Sequence, residues 1–361
     1  LESALINKTE VRTSVDLYRR ITGKKRMAIA LMVPLLMAAV FISLTTGSME
    51  ISLAELFQAL LQRVFPARFH VETLHFITIW DLRLPGIVMG LVVGTSLGMA
   101  GAGMQAILNN PLASPYTLGI SSAAGFGAAL AILLGGGAVG GGGEFIVAGS
   151  AFLFSCIAFV VIYLLARLKG AGSSIMILGG IALMYLFSAL LALIQYFAPE
   201  EVLQQIVFWM FGSLACATWS KVAMVLVVVC MAGGLLARNA WKLTALKFGD
   251  EISKGMGIDT RGLRSSTMIA TSLLTAAAVS FTGVIGFIGL VAPHMARMLL
   301  GEDQRFLIPG SCLIGAILLV VADGIGKTVI LPYILPVGIV TSFIGAPFFI
   351  YLIITKRGDF W

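Results

Sequence analysis

Apolar stretches of about 18 or more residues recur along the whole chain, separated by short polar segments. They predict membrane-spanning helices over 27–46, 84–106, 117–136, 145–166, 174–197 and 220–237, an apolar block over 266–292, and two more spans over 306–326 and 337–355. Between the first two, Leu53, Leu56, Phe57, Leu60 and Leu61 return at helical spacing opposite Glu55, Gln58 and Gln62. That is the pattern of an amphipathic helix lying on a membrane surface. The segment 198–219 is of the same kind, with Pro199-Glu200-Glu201 opening a short helix that carries Val202, Ile206 and Trp209. The glycine run 135–143 reads as a flexible turn. Gly90, Gly94, Gly98 and Ala102 form a small-residue stripe in the second span, which fits tight helix packing better than the alternative of pore lining.

Charge decides how the block 266–292 is crossed, because Lys and Arg gather on the cytoplasmic side of a membrane. With the N-terminus inside, six spans bring Arg238, Lys242, Lys247, Lys254, Arg261 and Arg264 inside. A single crossing of the block would then leave Arg297, Arg305 and Lys356-Arg357 outside. A crossing at 266–281 followed by a short returning helix at 284–299 brings all of them in. Of the 24 basic residues only Arg63, Arg68, Arg83, Lys221 and Lys327 then lie outside. The expectation is an all-α polytopic protein of the cytoplasmic (inner) membrane, with ten transmembrane helices in a single domain over 1–361. Both termini are cytoplasmic and 1–26 is a cytoplasmic N-terminal segment.

Composition agrees: 59% of residues are hydrophobic and 11% charged, against about a quarter charged in soluble domains, and mean hydropathy is +1.01. The net charge of +7 follows from basic cytoplasmic loops and does not point to nucleic acid. Cys156, Cys216, Cys230 and Cys312 sit in apolar segments without metal-ligand or CxxC spacing. The basic start, followed by a long apolar run with no small-residue cleavage site, is expected to be a first membrane helix rather than a signal peptide.

Enzymatic chemistry finds no foothold. Gly326-Lys327-Thr328 resembles the end of a phosphate-binding loop, but the required glycine five residues earlier is Val321. His70, His75 and His294 share no ligand spacing. Within the spans Asp323 is the main ionisable residue, near the outer end of its helix. Ion-coupled transporters usually keep such groups in the bilayer, so the energy should come from a partner. A gradient-driven secondary transporter is the rival of another class, and an intramembrane enzyme a third.

After the sixth span, Phe248 to Asp259 reads as a short helix, a glycine turn and a second short helix capped near Asp259 or Thr260. Four further stretches are distinctive: Asp81-Leu82-Arg83-Leu84-Pro85-Gly86; Gly103 to Pro115 with its Asn109-Asn110-Pro111; Gly283 to Arg297; and Leu335 to Thr341 followed by Gly345-Ala346-Pro347. Together they resemble the permease subunits of binding-protein-dependent ABC importers for iron-siderophores, haem and vitamin B12.

The resemblance implies the ABC type II importer permease fold, ten helices per subunit, paired as a homodimer with the pathway between subunits. It implies that the segment 238–265 holds the coupling helices for two ATPase subunits, with Gly249, Asp250, Glu251, Gly255, Gly257, Arg261 and Arg264 forming or flanking the docking knob. An extracytoplasmic substrate-binding protein would dock on Arg83 and Lys327. At the second position the family commonly has arginine, and lysine loses the bidentate fork; Gly86 likewise replaces a frequent basic residue. Topology assigns a cytoplasmic gate to Asn109, Asn110, Pro111, Ser173 and Ser174. No cofactor is expected on this chain, with ATP and magnesium on the ATPase, and membrane lipid is the remaining partner. Ferric siderophore ranks first as cargo, ahead of haem, cobalamin and molybdate.

Overall fold

The computed structural model describes residues 8–47, 49, 51–136, 142–169 and 173–355. The regular elements among them are helices, as the apolar runs predict. In chain order they are α1 (Lys8–Thr45), α2 (Leu53–Val64), α3 (Thr73–Ile77), α4 (Leu84–Leu108), α5 (Ile120–Leu133), α6 (Gly143–Lys169), α7 (Ser173–Phe197), α8 (Glu200–Met210), α9 (Trp219–Ala245), α10 (Asp250–Gly255), α11 (Thr260–Thr282), α12 (Ile288–Leu300), α13 (Gln304–Thr328) and α14 (Val337–Thr355). Among the described residues eight helices are long and apolar enough to cross a membrane. The apolar helices α5 and α12, of 14 and 13 residues, are shorter, and the expected ten is reached only by adding them.

The apolar block 266–292 does turn back. Helix α11 ends at Thr282, the chain breaks over Gly283–Phe287, and α12 starts at Ile288, not at 284. The break is irregular, opening on Gly283 at φ +72° and closing on Phe287 at φ +66°, and other elements hold it and the end of α11. The Ser213 amide donates to the Thr282 carbonyl at 2.8 Å, and the Tyr116 hydroxyl donates to the Ile285 carbonyl. Other boundaries move too. The second span is helical from Thr73, through a π-helical turn over Thr78–Arg83, so the Asp81–Gly86 stretch lies inside a helix rather than ahead of one. Helix α5 is shorter than 117–136 because a 3₁₀ turn, Pro115–Leu118, precedes it. The sixth span continues to Ala245, absorbing much of the segment expected to be a loop.

The glycine stripe is a packing surface. Helix α4 lies against α13 so closely that a Cβ on Gly94 would fall 2.4 Å from the Gly315 carbonyl oxygen, and one on Gly98 2.2 Å from that of Ser311. Backbone meets backbone there, which excludes the pore-lining alternative for these positions. Helix α2 forms where periodicity puts it, closed by a capping box in which Ser52 N donates to Glu55 at 2.8 Å. Leu56 and Ala59 are buried in the fold, while Leu53, Phe57 and Leu61 remain exposed.

The two ends of the bundle carry the predicted division of charge. Lys25 lies over the Phe306 ring, Lys247 pairs with Glu302, and the Gln304 amide donates to Thr244 Oγ1 at 3.0 Å. The Lys25 turn of α1, the end of α9 and the α12–α13 turn therefore share one end. Arg83 meets the end of α1, and Lys221 pairs with Glu144 at the starts of α9 and α6; these lie at the other end with Lys327. Residues 137–141 of the glycine run and Lys356-Arg357 lie outside the described residues.

Candidate coupling and gate site

The knob begins where α9 gives out. After a 3₁₀ turn over Leu246–Phe248, Gly249 takes φ +95° and redirects the chain into α10. Asp250 and Glu251 occupy the first turn of α10, where carboxylates suit the positive end of the helix dipole. Ser253 is fully buried, and its single hydroxyl proton is shared between the Ala245 carbonyl at 3.0 Å and the Gly249 carbonyl at 2.8 Å. That side chain staples α10 to the end of α9. Gly257, at φ +80°, then turns the chain, and the Asp259 side chain caps α11 by accepting from the Gly262 amide at 3.1 Å.

One expectation is corrected. The second helix of the knob is not a separate short one but the first turns of the 23-residue α11. One tight turn thus joins α10 directly to a long span helix.

Arg264 joins the knob to the rest of the bundle. One amino group lies 2.8 Å from Asp250 Oδ1, and the other donates to the Ile107 carbonyl in the last turn of α4. Two residues on, Asn109 ends α4 in the left-handed conformation (φ 47°, ψ 41°), which Asn adopts more readily than most residues. Asn110 follows with its side-chain oxygen accepting from the Leu112 amide at 2.9 Å, and Pro111 lies between them. Nearby, Arg297 of α12 donates to the buried Gln105 at 2.7 Å. The structure therefore brings Arg264, and Asp250 through it, to the last turn of α4, two residues before Asn109, Asn110 and Pro111. Ser173 and Ser174 open α7. Ser174 is exposed, and no hydrogen bond among the described residues joins it to that turn.

Gly249, Gly255 and Gly257 face open space, and Glu251 and Arg261 are exposed. Beside them lie three residues not singled out from the sequence: Phe248, Ile252 and Met256, between 51% and 62% exposed. Ile252 and the C-cap residue Met256, four apart, share one side of α10, and Phe248 lies just before the Gly249 turn, so the knob exposes three apolar side chains. That spacing was the available signal.

At the opposite end Arg83 is not the exposed cation expected. It is 7% exposed, and its guanidinium donates to the Leu44 carbonyl at 2.6 Å and to that of Met49. The π-helical turn aims the side chain at the end of α1, where carbonyls lack helical partners. Lys327 is partly exposed and pairs with Asp323 one turn earlier. The exposed basic residues of this end's long loop are Arg63, stacked over the Trp80 ring at 5.7 Å, and Arg68.

A cavity of about 560 Å³ opens between the end of α8, the Val284–Gly286 break and α14. Met210, Phe211, Phe343, Pro347 and Ile350 line it, with Ser342 adding a hydroxyl. No group of three or more His, Cys, Asp or Glu able to hold a metal ion occurs among the described residues.

The model of the FecCD transport family matches residues 35–355. An ABC transporter permease protein of Methanocaldococcus jannaschii is 41% identical over 345 residues, 93% of this chain and 97% of that protein. The hemin transport system permease protein HmuU of Yersinia pestis is 36% identical over 283 residues, 77% of this chain and 84% of its own. Among solved structures, an inward-facing conformation of a metal-chelate type ABC transporter superposes with a TM-score of 0.80 at 29% identity. It covers 92% of this chain and all of that one.

Proposed function

We infer the function from family membership: the chain belongs to the FecCD transport family and is the membrane-spanning permease subunit of an ABC importer. The finer reading is that two copies enclose a pathway for a metal chelate, ferric siderophore first. A binding protein delivers the chelate outside, and ATP hydrolysis on two separate cytoplasmic subunits drives alternating access. The haemin relative and the metal-chelate structure support this cargo class. So does the apolar cavity, which suits a bulky chelate whose own ligand encloses the metal charge better than a bare oxyanion.

The observation that carries the mechanism is the double reach of Arg264. Closure of the ATPase subunits moves α10, and the Asp250–Arg264 pair conveys that motion to the inner end of α4, beside Asn109, Asn110 and Pro111. Phe248, Ile252 and Met256 supply the apolar contact, with Gly255 allowing close approach. Outside, Lys327 remains a docking cation for the binding protein, and Arg63 and Arg68 take the place expected of Arg83.

The test is capture of the ATPase subunit by the purified permease. Ile252→Asp and Met256→Asp change exposed positions and should leave the fold intact while abolishing capture. Capture and transport that both survive the two changes contradict the docking assignment.

A further inference from the structure

Helix α1 is longer than a membrane requires. Its apolar part, Met27 to Thr45, measures about 28 Å, close to the roughly 30 Å hydrocarbon core. Lys24, Lys25 and Arg26 therefore fall at headgroup level, and Arg19 and Arg20 lie about 9 Å further in. Successive residues turn by 100°, so Lys24, Lys25 and Arg26 project to three sides of the helix and form a collar. Between residues 16 and 26 there are five cations and one carboxylate, Asp16.

Of these five cations only Lys25 meets an answering group among the described residues. Lys25 faces the start of α13, 5.4 Å above the Phe306 ring, and Arg305 stands 6.0 Å from the same ring. Tyr18 completes the notch, with Arg305 Nη2 3.5 Å from its hydroxyl. The carboxylates of the α12–α13 turn beside the collar are already engaged, Glu302 by Lys247 and Asp303 by Arg305 at 2.6 Å. Arg19, Arg20, Lys24 and Arg26 have no ion-pair partner among the described residues. Above the collar Met27, Leu31, Val33 and Leu35 are exposed, the surface of a helix bathed in acyl chains.

We propose that the collar of α1, with the Tyr18–Arg305–Phe306 notch, binds acidic phospholipid headgroups of the cytoplasmic leaflet. A cluster of four to eight cations directly cytoplasmic of a span is the arrangement that anionic lipid recognises, each cation adding electrostatic attraction within a Debye length. A cytosolic protein is the weaker occupant: the cations surround the helix instead of marking one face, and they sit where headgroups are packed. Only the naming of the leaflet rests on the proposed function, and the measurement below involves no transport.

The full chain, purified without any ATPase subunit, is exchanged into mixed micelles holding equal phosphatidylglycerol and phosphatidylcholine, and bound lipid is counted by native mass spectrometry. Wild type should retain phosphatidylglycerol preferentially, and raised salt should weaken that preference. Lys24→Gln with Lys25→Gln should lower retention roughly tenfold or more. The charge-preserving pair Lys24→Arg with Lys25→Arg should restore it, which separates lipid binding from a folding defect. Equal retention of both lipids by wild type, or undiminished preference in the glutamine variant, overturns the proposal. So does a glutamine variant that keeps its lipid but no longer captures the ATPase subunit, since the collar is then a protein contact.

Discussion

Arg264 and Asp250 stand 2.8 Å apart across the knob, on helices that meet at one glycine turn. Asp250 is about half exposed (47%), so the pair adds only about 0 to 1 kcal/mol to stability. Its value lies in geometry, because the second amino group of the same fork holds the Ile107 carbonyl.

Asp250→Asn should therefore leave the unfolding midpoint almost unchanged while raising the ATP hydrolysed per molecule imported. Arg264→Lys should do the same, since an ammonium cannot serve both acceptors in fixed directions. Parallel ATPase and uptake measurements in vesicles check both.

The two turn glycines of the knob should separate fold from docking. Gly257 holds φ +80°, where a Cβ costs about 1–2 kcal/mol, so Gly257→Ala should lower stability by that amount. Gly255 lies at the end of α10 with free space around it. Gly255→Ala should be tolerated by the fold and should weaken ATPase capture through the added methyl. Thermal unfolding in detergent and a pull-down distinguish the two outcomes.

Arg83→Ala should act on stability. It strands the carbonyls of Leu44 and Met49, at about 1–3 kcal/mol for a buried unsatisfied group. Affinity of the folded fraction for the binding protein should change little. A loss of binding-protein affinity with no loss of stability contradicts this placement.

Gly94→Val forces side-chain atoms into the Gly315 backbone, so α4 and α13 must part. Overpacking of this kind costs about 1–3 kcal/mol, and the variant should show reduced yield and a lowered unfolding midpoint. Gly234, where a Cβ meets nothing within 4 Å, provides the tolerant control.

The bundle was legible because a membrane span needs a long apolar run, and charge parity exposed the break near Gly283 that hydropathy alone hides. The knob was legible through Gly249 and Gly257, whose positive φ reflects a need the residue type announces. Arg83 was misjudged because its acceptors are main-chain carbonyls at Leu44 and Met49, which carry no side-chain signature and lie far away in sequence. The role of Ser253 was invisible for the same reason, since its hydroxyl serves the Ala245 and Gly249 carbonyls. Ile252 and Met256 were readable from their spacing, but apolar residues on a loop helix look like buried core until burial is known.

The central claim is that this chain moves its cargo only when driven by a separate ATPase. Uptake of a radiolabelled ferric siderophore into vesicles tests it most directly, with the permease reconstituted alone or with its ATPase subunits, internal ATP and external binding protein. The account predicts uptake only when all components are present, and none under an ion or proton gradient with the chain alone. Gradient-driven accumulation by the isolated permease would contradict it.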